Sequence, residues 1–173
     1  MTARKTAQYQ TFVSEARPEY MGTPIMPPVW KLQLVRDPNS SVSTRTQVCC
    51  PADVATVLMS YISNEAQEHF VVVALDTKNH ILGVNTVYVG NVSAIMLRAA
   101  EVFRPAILLN AAAIIVSHNH PSGDPAPSPE DVRSTESLVE AGKLLDLPVL
   151  DHIIVGEKTW VSLKERGLGF GRK

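Results

Sequence analysis

The chain carries no surplus of positive charge. Its 16 lysines and arginines are balanced by 17 aspartates and glutamates over 173 residues. A domain that follows a nucleic-acid backbone has a basic face or stripe, and no such stripe is visible. Aromatic residues are scarce, at 6%, and form no series on which unstacked bases could lie. Cysteine is nearly absent: Cys49 and Cys50 are the two, and they are adjacent. That excludes a disulfide framework and a Cys-x-x-Cys zinc site. A reducing, cytoplasmic setting is the default for such a chain. No apolar run approaches the ~18 residues of a membrane span, and the N-terminal stretch with Arg4 and Lys5 lacks the apolar centre of a leader. No membrane association is expected. What remains is 45% apolar and 19% charged, the make-up of an ordinary globular domain. The length suits one domain of roughly 100–200 residues.

Organisation follows from periodicity. Residues 1–28, rich in Thr, Ala and Pro, read as a flexible N-terminal arm. Residues 29–36 alternate Trp30, Leu32 and Leu34 with Lys31 and Gln33, a half-buried strand. A loop is expected over 37–43. Residues 51–64 place Val54, Val57, Leu58, Tyr61 and Ile62 at helical spacing, with Asp53 in the first turn. Residues 70–75 and 80–89 read as a hairpin turning at 76–79 and closed by Gly90. Ser93 could cap a helix over 94–103, ended or kinked at Arg104-Pro105. The run 111–116 is a buried strand, 129–145 a helix turning Val132, Leu138, Val139, Gly142 and Leu145 inward, and 147–156 and 159–163 are further strands. The domain spans 29–167, and the Gly-rich tail at 168–173 is expected to fray. Strands alternating with helices give an α/β class.

The chemistry concentrates after residue 116. His118 and His120 stand two apart at the end of the apolar strand. Such positions share one strand face, about 6.6 Å apart along it, so two imidazoles can converge on one cation. Pro121, Gly123, Pro125 and Pro127 then break the strand. Ser128-Pro129-Glu130-Asp131 reads as a helix start, with Ser as N-cap, Pro in the first helical position and acids in the first turn. Asp131 is thereby held near the base of a helix folding back beside the strand. Two imidazole nitrogens and a carboxylate suit a divalent metal with a fourth position open for water. Alone, a His-x-His is more often an accident of composition, and a Ser-Pro-Glu-Asp only a helix start. Two histidines and one carboxylate also suit Fe(II), but the usual all-strand setting of that chemistry conflicts with the helices expected here.

The joint spacing, His-x-His, seven residues, Ser, two residues, Asp, resembles the JAMM signature of the JAB/MPN metallopeptidases. The wording His-Asn-His-Pro-Ser-Gly-Asp-Pro, with Leu150-Asp151-His152-Ile153-Ile154-Val155-Gly156 downstream, resembles the RadC-like branch, over Trp30 to about Gly167. The resemblance implies a single-domain JAB/MPN-like mixed β-sheet flanked by helices. It implies one zinc ion per chain held by His118, His120 and Asp131. It implies Glu68, just before the strand beside the metal strand, as the residue that accepts and returns the water's proton, with Glu65 as competitor. It implies Ser128 as a donor to the developing oxyanion, against the plain reading of an N-cap. A bound metal lowers the pKa of its water from ~15.7 toward ~7, which suits a hydrolase acting on an extended protein or peptide tail.

The alternative function is a DNA-repair-associated nucleic-acid factor or metal-dependent nuclease of the same group, which the charge does not support. A binding module that has lost its ligands is disfavoured because all three ligands and the Glu are present. A homodimer is a further expectation by resemblance. The Pro-Arg-Glu that RadC-like sequences usually carry is replaced by Ala99-Ala100-Glu101, with Arg98 displaced. The helix-hairpin-helix region of longer RadC proteins is not expected in the residues before Trp30. Asp151 and His152 point opposite ways on their strand and read as a satisfied core pair, or as support for a ligand histidine. Asp124 reads as a turn former, His69 and His80 as surface residues, and the cysteines as a small buried pair before a helix.

Overall fold

The computed structural model describes residues 46–90 and 97–171. The expected N-terminal arm, the strand at 29–36 and the loop at 37–43 lie outside the described residues. One five-stranded sheet has the order β2-β1-β3-β4-β5, with β1 at His69–Leu75, β2 at Ile81–Val89, β3 at Ala113–Asn119, β4 at Val149–Val155 and β5 at Trp160–Ser162. Among the described residues three helices accompany it: α1 (Pro51–Ile62), α2 (Ala99–Leu108) and α3 (Pro129–Leu144). Only β3 and β4 are parallel, joined by α3; the other pairs are antiparallel. The sheet is thus mixed and helix-flanked, as the JAB/MPN-like α/β reading expects. Among the described residues no helix is long and apolar enough to cross a membrane.

Alternation of side chains along β1 divides the core in two. Val71, Val73 and Leu75 meet Val54, Leu58 and Ile62 of α1. Phe70, Val72 and Ala74 meet Val102, Phe103 and Ala106 of α2 and Leu138 of α3. A strand covered on both faces needs an apolar residue at nearly every place, which is why β1 and β3 read as unbroken Val and Ile runs. On β3 the α2/α3 side holds Ile114 and Val116. His118 continues that row, so the strand's parity decides which face receives the imidazole.

Several local expectations are corrected. The helix described here runs from Ala99, with Arg98 as its extended N-cap; the expected cap at Ser93 and start at Ala94 lie outside the described residues. It does not stop at Pro105, which sits inside α2. An interior proline costs about 3 kcal/mol. Burial of Val102, Phe103 and Ala106 against the sheet outweighs it. Leu145 is exposed rather than inward. Asp146 takes a left-handed φ of 53°, and Leu147 bonds back to the Gly142 carbonyl at 2.9 Å, so Leu147 fills the inward place. Gly142 is required there, because a Cβ would stand 2.7 Å from the Leu147 carbonyl. Through Phe170 the tail is packed instead of frayed: Leu168 and Phe170 lie against the core. Cys49 and Cys50 are exposed, not buried. Cys50 caps α1, and the Asp53 carboxylate accepts from both cysteine amides, at 2.7 and 2.9 Å.

Candidate metal centre

The site forms where β3 ends beside the start of α3. His118 pairs with Phe70 in the sheet register, and the two rings stack at 6.3 Å and 11°. His120 lies just past the strand, its amide bonded to the Val155 carbonyl at 2.8 Å. The loop from Pro121 to Pro127 then crosses the end of β4. Gly156 makes that crossing possible, since a Cβ there would meet the Gly123 carbonyl at 2.4 Å. Ser128 caps α3, and Pro129 opens it.

The capping geometry aims Asp131. Its Oδ2 accepts from the Ser128 amide at 2.8 Å and from the Ser128 hydroxyl at 2.7 Å, and the Asp131 amide donates back to Ser128 Oγ at 3.1 Å. With Oδ2 so anchored, Oδ1 stands 3.2 Å from His118 Nε2. His118 Nε2 and His120 Nε2 are 3.0 Å apart. The three ligand atoms lie within 4.8 Å of one another. Sequence spacing predicted this set, and the chain brings all three together.

The surroundings favour a cation. His120 Nδ1 lies 2.8 Å from the Asp124 carbonyl, which accepts only; the ring therefore donates there and leaves Nε2 bare toward His118. Nitrogen lone pairs and a carboxylate crowded this closely repel unless a positive charge lies between them. Protonated histidines can supply that charge in place of a metal. Burial pushes the Asp131 carboxyl up, but pairing with His118 and His120 in their protonated forms outweighs it and holds the group well below the usual carboxylate range. Pairing of its protonated form with the Asp131 carboxylate raises His120, against burial, and the charge of Glu68 adds to the rise. A set of two imidazoles and one carboxylate fits a divalent ion such as zinc.

Glu68 stands half-buried immediately before β1, close enough for its charge to act on His120. Asn119, between the two histidines, fixes that segment. Its amide nitrogen donates to the Glu65 and Gln67 carbonyls at 3.2 and 3.1 Å, and its oxygen accepts from the His69 amide at 2.7 Å. The Glu68 carbonyl accepts from Gly90 at 2.9 Å, closing the far end of the hairpin. Glu65 instead turns toward His69, 3.9 Å away. His69 and His80 are both part-buried rather than free surface residues. Asp124 acts as a turn former, its Oδ1 accepting from Ala126 at 3.0 Å.

The Asp151-His152 pair divides. Asp151 faces Ser162, whose hydroxyl lies 2.9 and 2.7 Å from its two oxygens. Burial raises this carboxyl against those hydrogen bonds. His152 faces the site, its Nε2 2.8 Å from His118 Nδ1. Burial, and then the charge of His118, push it well below the ordinary histidine value. Beyond it lies Thr135, 2.6 Å from His152 Nδ1. Sequence reading missed Thr135. The available signal was a hydroxyl one helical turn after Asp131 on the inward face.

Comparison with known proteins agrees with this geometry. A family model described as RadC-like JAB domain matches residues 48–168. A UPF0758 protein of Chloroflexus aggregans is 52% identical over 132 residues, covering 76% of this chain and 58% of that relative. A UPF0758 protein of Chloroflexus aurantiacus is 50% identical over 132 residues, with the same shares. Another, of Methanosarcina barkeri, is 46% identical over 123 residues, 71% of this chain and 54% of the relative. The chain therefore spans a little over half the length of the curated relatives it matches. Together with the mixed sheet and the His118–His120–Asp131 cluster, these matches assign the chain to the RadC-like JAB domain family.

Proposed function

We propose that this domain is a zinc-dependent hydrolase of JAMM type that cleaves peptide or isopeptide bonds in an extended protein tail. The observation that carries this reading is the convergence of His118 Nε2, His120 Nε2 and Asp131 Oδ1 beside Glu68. These three atoms would hold one zinc ion per chain. When bound, zinc supplies Lewis acidity, bringing the pKa of a coordinated water toward ~7.

The remaining work falls to the chain's own groups. Glu68 takes the proton of the attacking water at its carboxylate and passes it to the leaving nitrogen. Asn119 holds the Glu68 backbone in place for that transfer. The Ser128 hydroxyl donates to Asp131 Oδ2, so its first task is to orient the ligand. To serve a developing oxyanion it must turn away from that oxygen, a contribution of ~3–4 kcal/mol in comparable sites. Phe70 stacks on the His118 ring from the sheet side and limits its tilt.

Metal analysis of the purified protein, followed by hydrolysis of peptide and isopeptide substrates with and without chelator, tests the reading. Glu68→Gln is expected to lower turnover by about 10²- to 10⁴-fold while metal content stays at the wild-type level. Equal turnover by the variant and the wild type would remove Glu68 from the mechanism. Turnover unaffected by chelator would overturn the metal-dependent reading.

A further inference from the structure

We propose that Thr135 and His152, neither of them a metal ligand, are positioning residues that preset the ligating tautomer of His118; the inference rests on reading the tripod as a metal site. It comes from following hydrogens through a chain of short contacts. Thr135 Oγ1 lies 2.6 Å from the Asp131 carbonyl oxygen and 2.6 Å from His152 Nδ1. At such distances each contact needs a hydrogen between its atoms. The carbonyl only accepts, so the one hydroxyl hydrogen goes to it. The hydrogen in the second contact must then come from His152 Nδ1. That leaves His152 Nε2 bare, 2.8 Å from His118 Nδ1. His118 therefore donates from Nδ1, and in the neutral ring its Nε2 is left as a lone pair, facing Asp131 Oδ1 at 3.2 Å and His120 Nε2 at 3.0 Å, the gap a cation fills.

The opposite direction fails on the same distances. If the hydroxyl donated to His152, two oxygens would meet at 2.6 Å with no hydrogen between them. His118 would also carry its hydrogen on Nε2, where a metal must bind. Water offers no third route, because Thr135, His152 and His118 are 0%, 1% and 2% exposed. The chain of bonds also ties two ligands together. It begins at a ligand on β3, passes through β4, and ends on the backbone of Asp131, the ligand on α3. A single helical turn thus sets the carboxylate and, through Thr135, the distant imidazole. The partner of His118 is a neutral ring rather than a carboxylate, so it orients the ligand without adding negative charge.

Long-range proton–nitrogen NMR of the metal-free protein at neutral pH reads the tautomers directly. His118 and His152 are both expected to carry hydrogen on Nδ1. His152 protonated on Nε2 would overturn the proposal, whether or not zinc binds. Thr135→Val keeps the side-chain shape and removes the acceptor. It is expected to lose the Nδ1–H signature of His152 and to weaken zinc binding about 10- to 100-fold, with Thr135→Ser restoring both. A folded Thr135→Val protein with wild-type tautomers and zinc affinity within about twofold would overturn the proposal too. Should Thr135→Val not fold, the wild-type spectrum decides alone. Wild-type protein that shows the expected tautomers yet binds no zinc would instead bring down the proposed metalloenzyme.

Discussion

Asp151 and His152 are neighbours in sequence, both buried, and opposite in what they do. On one face of β4, Asp151 accepts from the His152 amide at 2.7 Å, from the one hydroxyl hydrogen of Ser162, whose oxygen lies 2.9 and 2.7 Å from its two oxygens, and from the Lys164 amide at 3.3 Å. Its demand for hydrogens is met inside the fold. On the other face, His152 begins a chain that passes through His118 and stops at a bare nitrogen beside two more acceptors. Burial of a polar group therefore does not mark a functional site. A buried network that closes is structure; one that ends in converging acceptors asks for a cation from outside.

Substitutions can break this contrast. The largest effect is expected from Asp131→Ala or His118→Ala, which remove a ligand and should abolish stoichiometric zinc binding in metal analysis. Ser162→Ala should do the reverse, leaving metal content unchanged while the under-satisfied Asp151 costs about 1–3 kcal/mol of stability in denaturant titration. Zinc loss in Ser162→Ala would mean that the two faces are coupled.

Acidity sharpens the same contrast. The depressed Asp131 contributes stability that is present above its ordinary pKa of ~3.9 and lost as pH falls through the lower folded value. The raised His120 contributes stability that is full below its ordinary ~6.5 and lost as pH rises through the higher folded value. With chelator present, the melting temperature of wild type relative to Asp131→Ala should thus be highest at about pH 4–6.5. Zinc should move the advantage to higher pH, because ligation needs neutral imidazole. A difference that does not vary with pH would disconnect these groups from stability. The smallest effect belongs to Cys49→Ser with Cys50→Ser: both side chains are exposed, so a change under about 0.5 kcal/mol is expected, with zinc affinity unaltered.

The sequence alone determined much of this molecule. The Val and Ile runs at 70–75 and 111–116 fixed two central strands, because a strand covered on both faces has no place for polar residues. His-x-His at the end of one such run, followed by Ser-Pro-Glu-Asp, fixed the ligand set, because strand parity and capping geometry are local. Pro105 and Leu145 misled for the complementary reason: propensity and periodicity describe a segment by itself, while burial of Ala106 and the reversal at Asp146 belong to the packed chain. Only tertiary structure decided that Asn119 grips the Glu68 segment, that Asp151 turns to Ser162 and His152 to His118, and that Thr135 ends the chain of hydrogen bonds. Those contacts join residues distant in sequence across three elements, and no local spacing rule encodes which donor will find which acceptor once the sheet has closed.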